Sequence, residues 1–128
     1  MKENLLHSEI TEDVIKAFYQ VYNALGNGFL EKVYENSLVV VLKKMGHSVL
    51  QQHPISVYFE NQLVGEYFAD VLVDDKVILE LKAVTAIDVA HEAQLVNYLK
   101  ATKIEVGMLL NFGKKPEFKR KLFTNDVK

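Results

Sequence analysis

The sequence contains no cysteine. That removes disulfides, thiolate nucleophiles, thiolate zinc sites and iron–sulfur clusters together, so any metal must be held by oxygen or imidazole. Proline is scarce, with two residues, and glycine numbers six, which excludes collagen-like and proline-rich architectures. The longest unbroken apolar run, Leu38 to Leu42, is far short of the ~20 residues a membrane-spanning helix needs. Met1 to His7 hold no apolar segment of signal-peptide length, and the expectation is a cytoplasmic protein with no membrane partner. Charge of one sign is also missing, since 15 basic residues face 17 acidic ones for a formal net charge of −2. The broad basic field that drives non-specific nucleic-acid binding is therefore absent.

What is present is ordinary globular composition, 49% apolar and 25% charged over 128 residues. That length predicts a single domain, residues 1–128, able to bury a core. Thr11-Glu12-Asp13 reads as a helix start, with a capping hydroxyl and acids in the first turn. Val14, Phe18, Val21, Tyr22 and Leu25 follow at helical spacing up to Gly26-Asn27-Gly28. A second helix carries a buried stripe of Leu30, Val33, Tyr34, Leu38, Val41, Leu42 and Met45, closed by Gly46.

From Val49 the period changes to two. Ile55, Val57 and Phe59 alternate with polar neighbours, Glu60-Asn61-Gln62 turns, and a second strand runs Leu63 to Val73. Asp74-Asp75 turns again into a third strand, Val77 to Val84. Asp88 caps a third helix reaching about Ala101, Glu105 to Phe112 is a fourth strand, and Phe118 to Phe123 a short fifth. The order α, α, β, β, β, α, β, with a final weak β, implies an α/β fold, a mixed sheet flanked by helices.

The chemistry points to the third strand. Glu80 and Lys82 stand two apart and share a face, yet their neighbours Val77, Ile78, Leu79, Leu81 and Val84 are apolar. Charge in such a strand costs several kcal/mol unless compensated. Asp74-Asp75-Lys76 and Glu117-Phe118-Lys119 repeat the acid-x-Lys pattern, but in a turn and a polar tail where charge is cheap. Two compensations remain open. Glu80 and Lys82 pair with each other, or Glu80 binds a cation while Lys82 faces an anion. Asp70 sits in the preceding strand, and antiparallel pairing across Asp74-Asp75 sets it nearly opposite Glu80. Two adjacent carboxylates repel unless a proton or cation lies between them, and an oxygen-only site favours Mg²⁺ or Mn²⁺.

Asp70 followed by Glu80-Leu81-Lys82 resembles the signature of the PD-(D/E)xK nuclease superfamily, whose core is a restriction endonuclease-like αβββαβ sandwich. The order read here is that order with one extra N-terminal helix. Gly28-Phe29-Leu30-Glu31-Lys32-Val33-Tyr34 is similar to the motif of the bacterial GxxExxY family within it. Val64-Gly65-Glu66, Ala69-Asp70, Glu80-Leu81-Lys82-Ala83, Gln94 to Lys100 and Leu109 to Gly113 resemble that family in the same order, over about residues 10 to 125.

The resemblance implies a nuclease that cleaves nucleic acid, DNA ahead of RNA. Asp70, Glu80 and Glu31 would hold Mg²⁺ or Mn²⁺, and Lys82 would stand beside the attacking water. Gln94 and Tyr98 resemble the Gln-x-x-x-Tyr motif of exonuclease-like branches; four residues apart, they share a helical face with His91. Tyr98 would contact nucleic acid, and the basic run after Gly113, with Lys114 and Lys115, is either a phosphate-facing edge or a solvated tail. Plain alternatives stand beside each role: an acid bonded to turn amides for Asp70, a helix-dipole partner for Glu31, core packing for Tyr34 and Tyr98. Glu35 and Glu66 lie close in sequence but are not assigned. His91-Glu92 fails as a zinc motif because the fifth position is Leu95. His7, His47 and His53 show no ligand spacing and read as surface or turn residues. The rival function is a catalytically silent nuclease fold used for binding or assembly. A homodimer is a further expectation, because a small nuclease cuts both strands by pairing or by rebinding.

Overall fold

The computed structural model describes residues 5–128, so the reading of Met1 to Asn4 lies outside the described residues. Helix α1 (Ser8–Leu25) starts three residues before the expected cap. Thr11 is buried inside the first turn, its Oγ1 donating to Ser8 O at 3.2 Å, and His7 occupies the cap position with φ 56°. The helix stops at Gly26, whose φ of 68° suits a residue without Cβ. Helix α2 (Glu31–Lys44) buries Tyr34, Glu35, Leu38, Val39 and Leu42. Leu30, Val33 and Met45, expected in its stripe, are exposed instead. The helix is turned so that Glu35 and Val39 face inward, a rotation with consequences for the site.

Strands β1 (Val49–Phe59) and β2 (Gln62–Val73) form a long antiparallel hairpin. Its turn residues Glu60 and Asn61 have φ 48° and 64°, and the Asp74-Asp75 turn has φ 53° and 56°. Two consecutive left-handed residues make the turn twist that matches paired strands. Strand β3 (Val77–Lys82) meets β2 only through Val71–Val73. Most of the hairpin therefore pairs only with itself, and the expected alternation fades outward: Ile55 is buried, Val57 half-buried and Phe59 exposed.

Helix α3 (Val89–Lys100) is the crossover into β4 (Val106–Phe112), which runs parallel to β3. Asp88 caps it, accepting from Ala90 N at 2.9 Å. Strand β5 (Pro116–Leu122) is two residues longer toward its start than expected, and the chain closes with a short 3-10 turn, Asn125–Val127. The result is a mixed five-stranded sheet in the order β1-β2-β3-β4-β5. On one face α1 and α2 pack through Val14, Phe18, Tyr34 and Leu38 onto Val71, Leu79, Leu81 and Phe112. On the other, Leu95, Tyr98 and Leu99 of α3 pack onto Ile55, Ala69, Leu72, Ile78 and Leu109. His47, read as a surface or turn residue, lies in the α2–β1 connection and there bonds Asp13 of α1 at 2.8 Å and Asp74 at 2.6 Å.

Candidate active site

The β2–β3 ladder ends at Val71–Leu79, so the next facing pair is Asp70 and Glu80, the register the sequence predicts. Beyond the ladder the carboxylates take over its hydrogen bonds. Asp70 N donates to Glu80 Oε2 at 2.8 Å, and Leu81 N donates to Asp70 Oδ2 at 2.8 Å. Each acid thus spends one oxygen locking the neighbouring strand. Among the described residues the other oxygens are little used, with Asp70 Oδ1 meeting only Gln52 Nε2 at 3.5 Å. Glu80 is 6% exposed, and burial, then the nearby Asp70 charge, push its carboxyl up to about 8. Asp70 is raised too, chiefly by burial.

The sheet bends here. Ala69 belongs to the core under α3, whereas Val71 belongs to the core under α1 and α2. Opposite Asp70 on β1 the pairing skips Gln52, which has φ 53°. A left-handed glutamine costs of order 1 kcal/mol or more, and the strained strand residue aims its amide at the acids: Gln52 Nε2 donates to Glu35 Oε1 at 3.0 Å.

Glu35 is the residue sequence reasoning passed over. It is 4% exposed, and its Oε2 accepts from Lys32 Nζ at 3.0 Å and Gln51 Nε2 at 2.7 Å. Its charge raises both Asp70 and Glu80. Glu31 lies one turn earlier, exposed in the first turn of α2, and adds a weaker push on Asp70. The available signal was the four-residue spacing of Glu31 and Glu35 on one helical face; using it required knowing the rotation of α2. Among the described residues, no three Asp, Glu or His side chains gather into a ready-made metal cage.

Lys82 is half-buried at the end of β3, makes no ion pair with Glu80 among the described residues, and still stabilises the Glu80 carboxylate electrostatically. The strand ends there rather than at Val84 because Asn111 claims the Val84 backbone. Val84 N donates to Asn111 Oδ1 at 3.0 Å, and Asn111 Nδ2 donates to Val84 O at 2.9 Å. Gly113 makes this approach possible, since a Cβ there would overlap the Val84 carbonyl oxygen.

Tyr98 is buried, and its hydroxyl accepts from Gln94 Nε2 at 3.0 Å. Burial, then the charges of Glu80 and Asp70, raise its phenol to about 12, so its ring lies within reach of the acid cluster's field. His91 instead completes the α3 cap, Nδ1 accepting from Asp88 N at 3.1 Å. Tyr34 is structural: it stacks on Phe112 at 4.3 Å and donates to Gly26 O at 2.5 Å. Lys114 and Lys115 are exposed in the β4–β5 turn. Much of the remaining basic run is absorbed by the fold, with Lys121 paired to Glu92 and Arg120 Nη2 donating to Leu6 O at 2.5 Å.

No helix among the described residues is long and apolar enough to cross a membrane. No curated protein matches the sequence. The solved structure of SSO0001 is similar over 91% of this chain, with TM-score 0.58 and 20% identity, and this chain spans 59% of that one; the likeness is one of fold. Residues 8–121 match the family model of the PD-(D/E)XK nuclease superfamily, and the chain belongs to that superfamily.

Proposed function

We propose that this chain is a divalent-metal-dependent nuclease that hydrolyses phosphodiester bonds in nucleic acid, DNA ahead of RNA, and that it is one of the GxxExxY group. The observation that carries the reading is the reciprocal lock between Asp70 and Glu80 across two strands. It holds two acids side by side, each with an oxygen to spare, at a place where the fold gains nothing from their mutual repulsion. Mg²⁺ ordinarily takes one or two carboxylates and keeps several waters, so a full protein cage is not required. Asp70 and Glu80 fit as its ligands, and the Glu35 and Glu31 carboxylates on α2 would add negative charge to the site. Mg²⁺ or Mn²⁺, when bound, supplies charge neutralisation at the phosphate and a more acidic water.

The protein groups do the rest. Lys82 presents an ammonium beside the acids, suited to orienting a water or to the crowded oxygens of the phosphoryl group. Gln52 and Gln51 hold Glu35, while Gln94 fixes the Tyr98 hydroxyl facing the substrate. Lys114 and Lys115 suit a flanking phosphate.

The test is Mn²⁺ titration by calorimetry alongside cleavage assays on DNA and RNA, in the parent, Glu80→Gln and Lys82→Ala. The expected result is Mn²⁺ binding in the parent and Lys82→Ala, weaker binding in Glu80→Gln, and cleavage reduced about 100-fold or more in both variants. A parent that neither binds Mn²⁺ nor cuts any nucleic acid overturns the reading and leaves the silent binding module.

A further inference from the structure

Between the β1–β2 hairpin and helix α3 runs an open groove of about 900 Å³, at the upper end of the ~300–1,000 Å³ typical of ligand sites. We propose that this groove binds the bases of a single-stranded nucleic acid and leads the strand to the acid cluster. The inference rests on the hydrolytic reading above and names its substrate class.

Three observations carry it. The first is continuity: the groove is lined by Gln94 and Tyr98, and Tyr98 is the side chain whose hydroxyl feels the Asp70 and Glu80 carboxylates. Tyr67 on the groove wall also stands three residues before Asp70 on strand β2, and Tyr98 packs in one core cluster with Ala69, the neighbour of Asp70. The second is the wall, where the hairpin offers Tyr58, 64% exposed, and Tyr67, 47% exposed. The Tyr67 ring is braced by Tyr98, centroids 5.7 Å apart and planes at 43°, and its edge lies over Gly65. Exposed, braced tyrosines are platforms for unstacked bases.

The third is charge. Among the described residues no acidic side chain lines the groove, and Lys100 and His91 are its only titratable bases. A duplex follows rows of Lys and Arg along its phosphates and hides its base faces inside its own stack. Here the rows of cations are missing and the aromatic faces are on offer. Asn97 and Gln94 on the α3 side supply amides for base edges. Aromatic faces beside the single ammonium of Lys100 fit an unstacked strand better than a double helix.

Fluorescence anisotropy in EDTA tests this on the intact chain with labelled oligothymidylate, oligouridylate and a DNA hairpin duplex. The single strands should bind about tenfold or more tightly than the duplex. Tyr58→Ala should weaken them about tenfold with duplex binding unchanged, and Tyr58→Phe should restore them. Tyr58 is largely exposed, so its variants fold; Tyr67→Ala, with its fold checked by circular dichroism, repeats the test on the braced ring. Equal affinity for strand and duplex, or parental strand affinity in Tyr58→Ala, overturns the groove assignment even if Mn²⁺-dependent cleavage is found. Tyrosine-dependent strand binding without cleavage upholds the groove and removes the hydrolytic reading instead. The preference between oligothymidylate and oligouridylate assigns the strand to DNA or RNA.

Discussion

Glu80 shows at the scale of one residue how a proposed site would work against the fold that carries it. Its buried carboxyl, raised to about 8, is held against Asp70 by backbone donors that would serve a neutral amide equally well. Glu80→Gln keeps an acceptor for Asp70 N and removes a buried charge from beside a second acid. In EDTA at pH 8 its melting temperature should equal or exceed that of the parent, as expected where stability is given up for chemistry. A drop of several degrees would show that the carboxylate is a structural partner of Asp70 or Lys82. The Asp70–Glu80 pair was legible because the short turn Asp74-Asp75-Lys76 between Val73 and Val77 fixes strand register. Gln52 was not, because nothing in a glutamine announces a left-handed backbone; only the strain between β1 and β2 demands it.

Elements explain the other omission. Leu38 to Leu42 is apolar at every position, so hydrophobic spacing in α2 cannot say which face is buried. The stripe drawn through Leu30 and Val33 was turned away from Glu35, and the packing of Tyr34 against Phe112 sets the true rotation. The end of β3 was hidden for a similar reason. Val77 to Val84 reads as one strand until Asn111, on the neighbouring strand, captures Val84 and releases the chain two residues after Lys82. That clamp positions Lys82 through the backbone. Gly113→Ala should push a Cβ into the Val84 carbonyl and destabilise the fold by about 1–3 kcal/mol, read in urea unfolding. Cleavage should fall in proportion to the displacement of Lys82, by more than the loss of folded protein accounts for. A variant as stable as the parent would show that the β4–β5 turn yields freely and that the clamp holds nothing in place.

For the whole molecule, protonation sets where the fold is most stable. His47 ties α1 to the β2–β3 turn through Asp13 and Asp74, far along the chain from one another. Burial alone would lower the His47 pKa, but the hydrogen bonds it makes to Asp74 and Asp13 outweigh it and raise it above 6.5. Burial likewise works to raise Asp74, and the His47 and Ser48 hydrogen bonds overcome it and bring it below 3.8. On the histidine side the clip is fully stabilising below pH 6.5 and is lost as pH rises through the folded value. On the aspartate side it is present above pH 3.8 and lost as pH falls through the folded value. Glu80 adds to the alkaline limb: raised from 4.5 to about 8, it favours the folded chain most below 4.5 and loses that contribution as pH climbs through 8. The melting temperature in EDTA should therefore fall by several degrees between about pH 6 and pH 9. His47→Gln should lower the value at pH 6 and flatten the decline just above pH 6.5, Glu80→Gln should flatten it throughout the stretch up to about pH 8, and the double variant should show little slope. A parent whose melting temperature rises across that range would mean that neither the clip nor the buried acid governs the fold, and that unlocated charges elsewhere in the chain do.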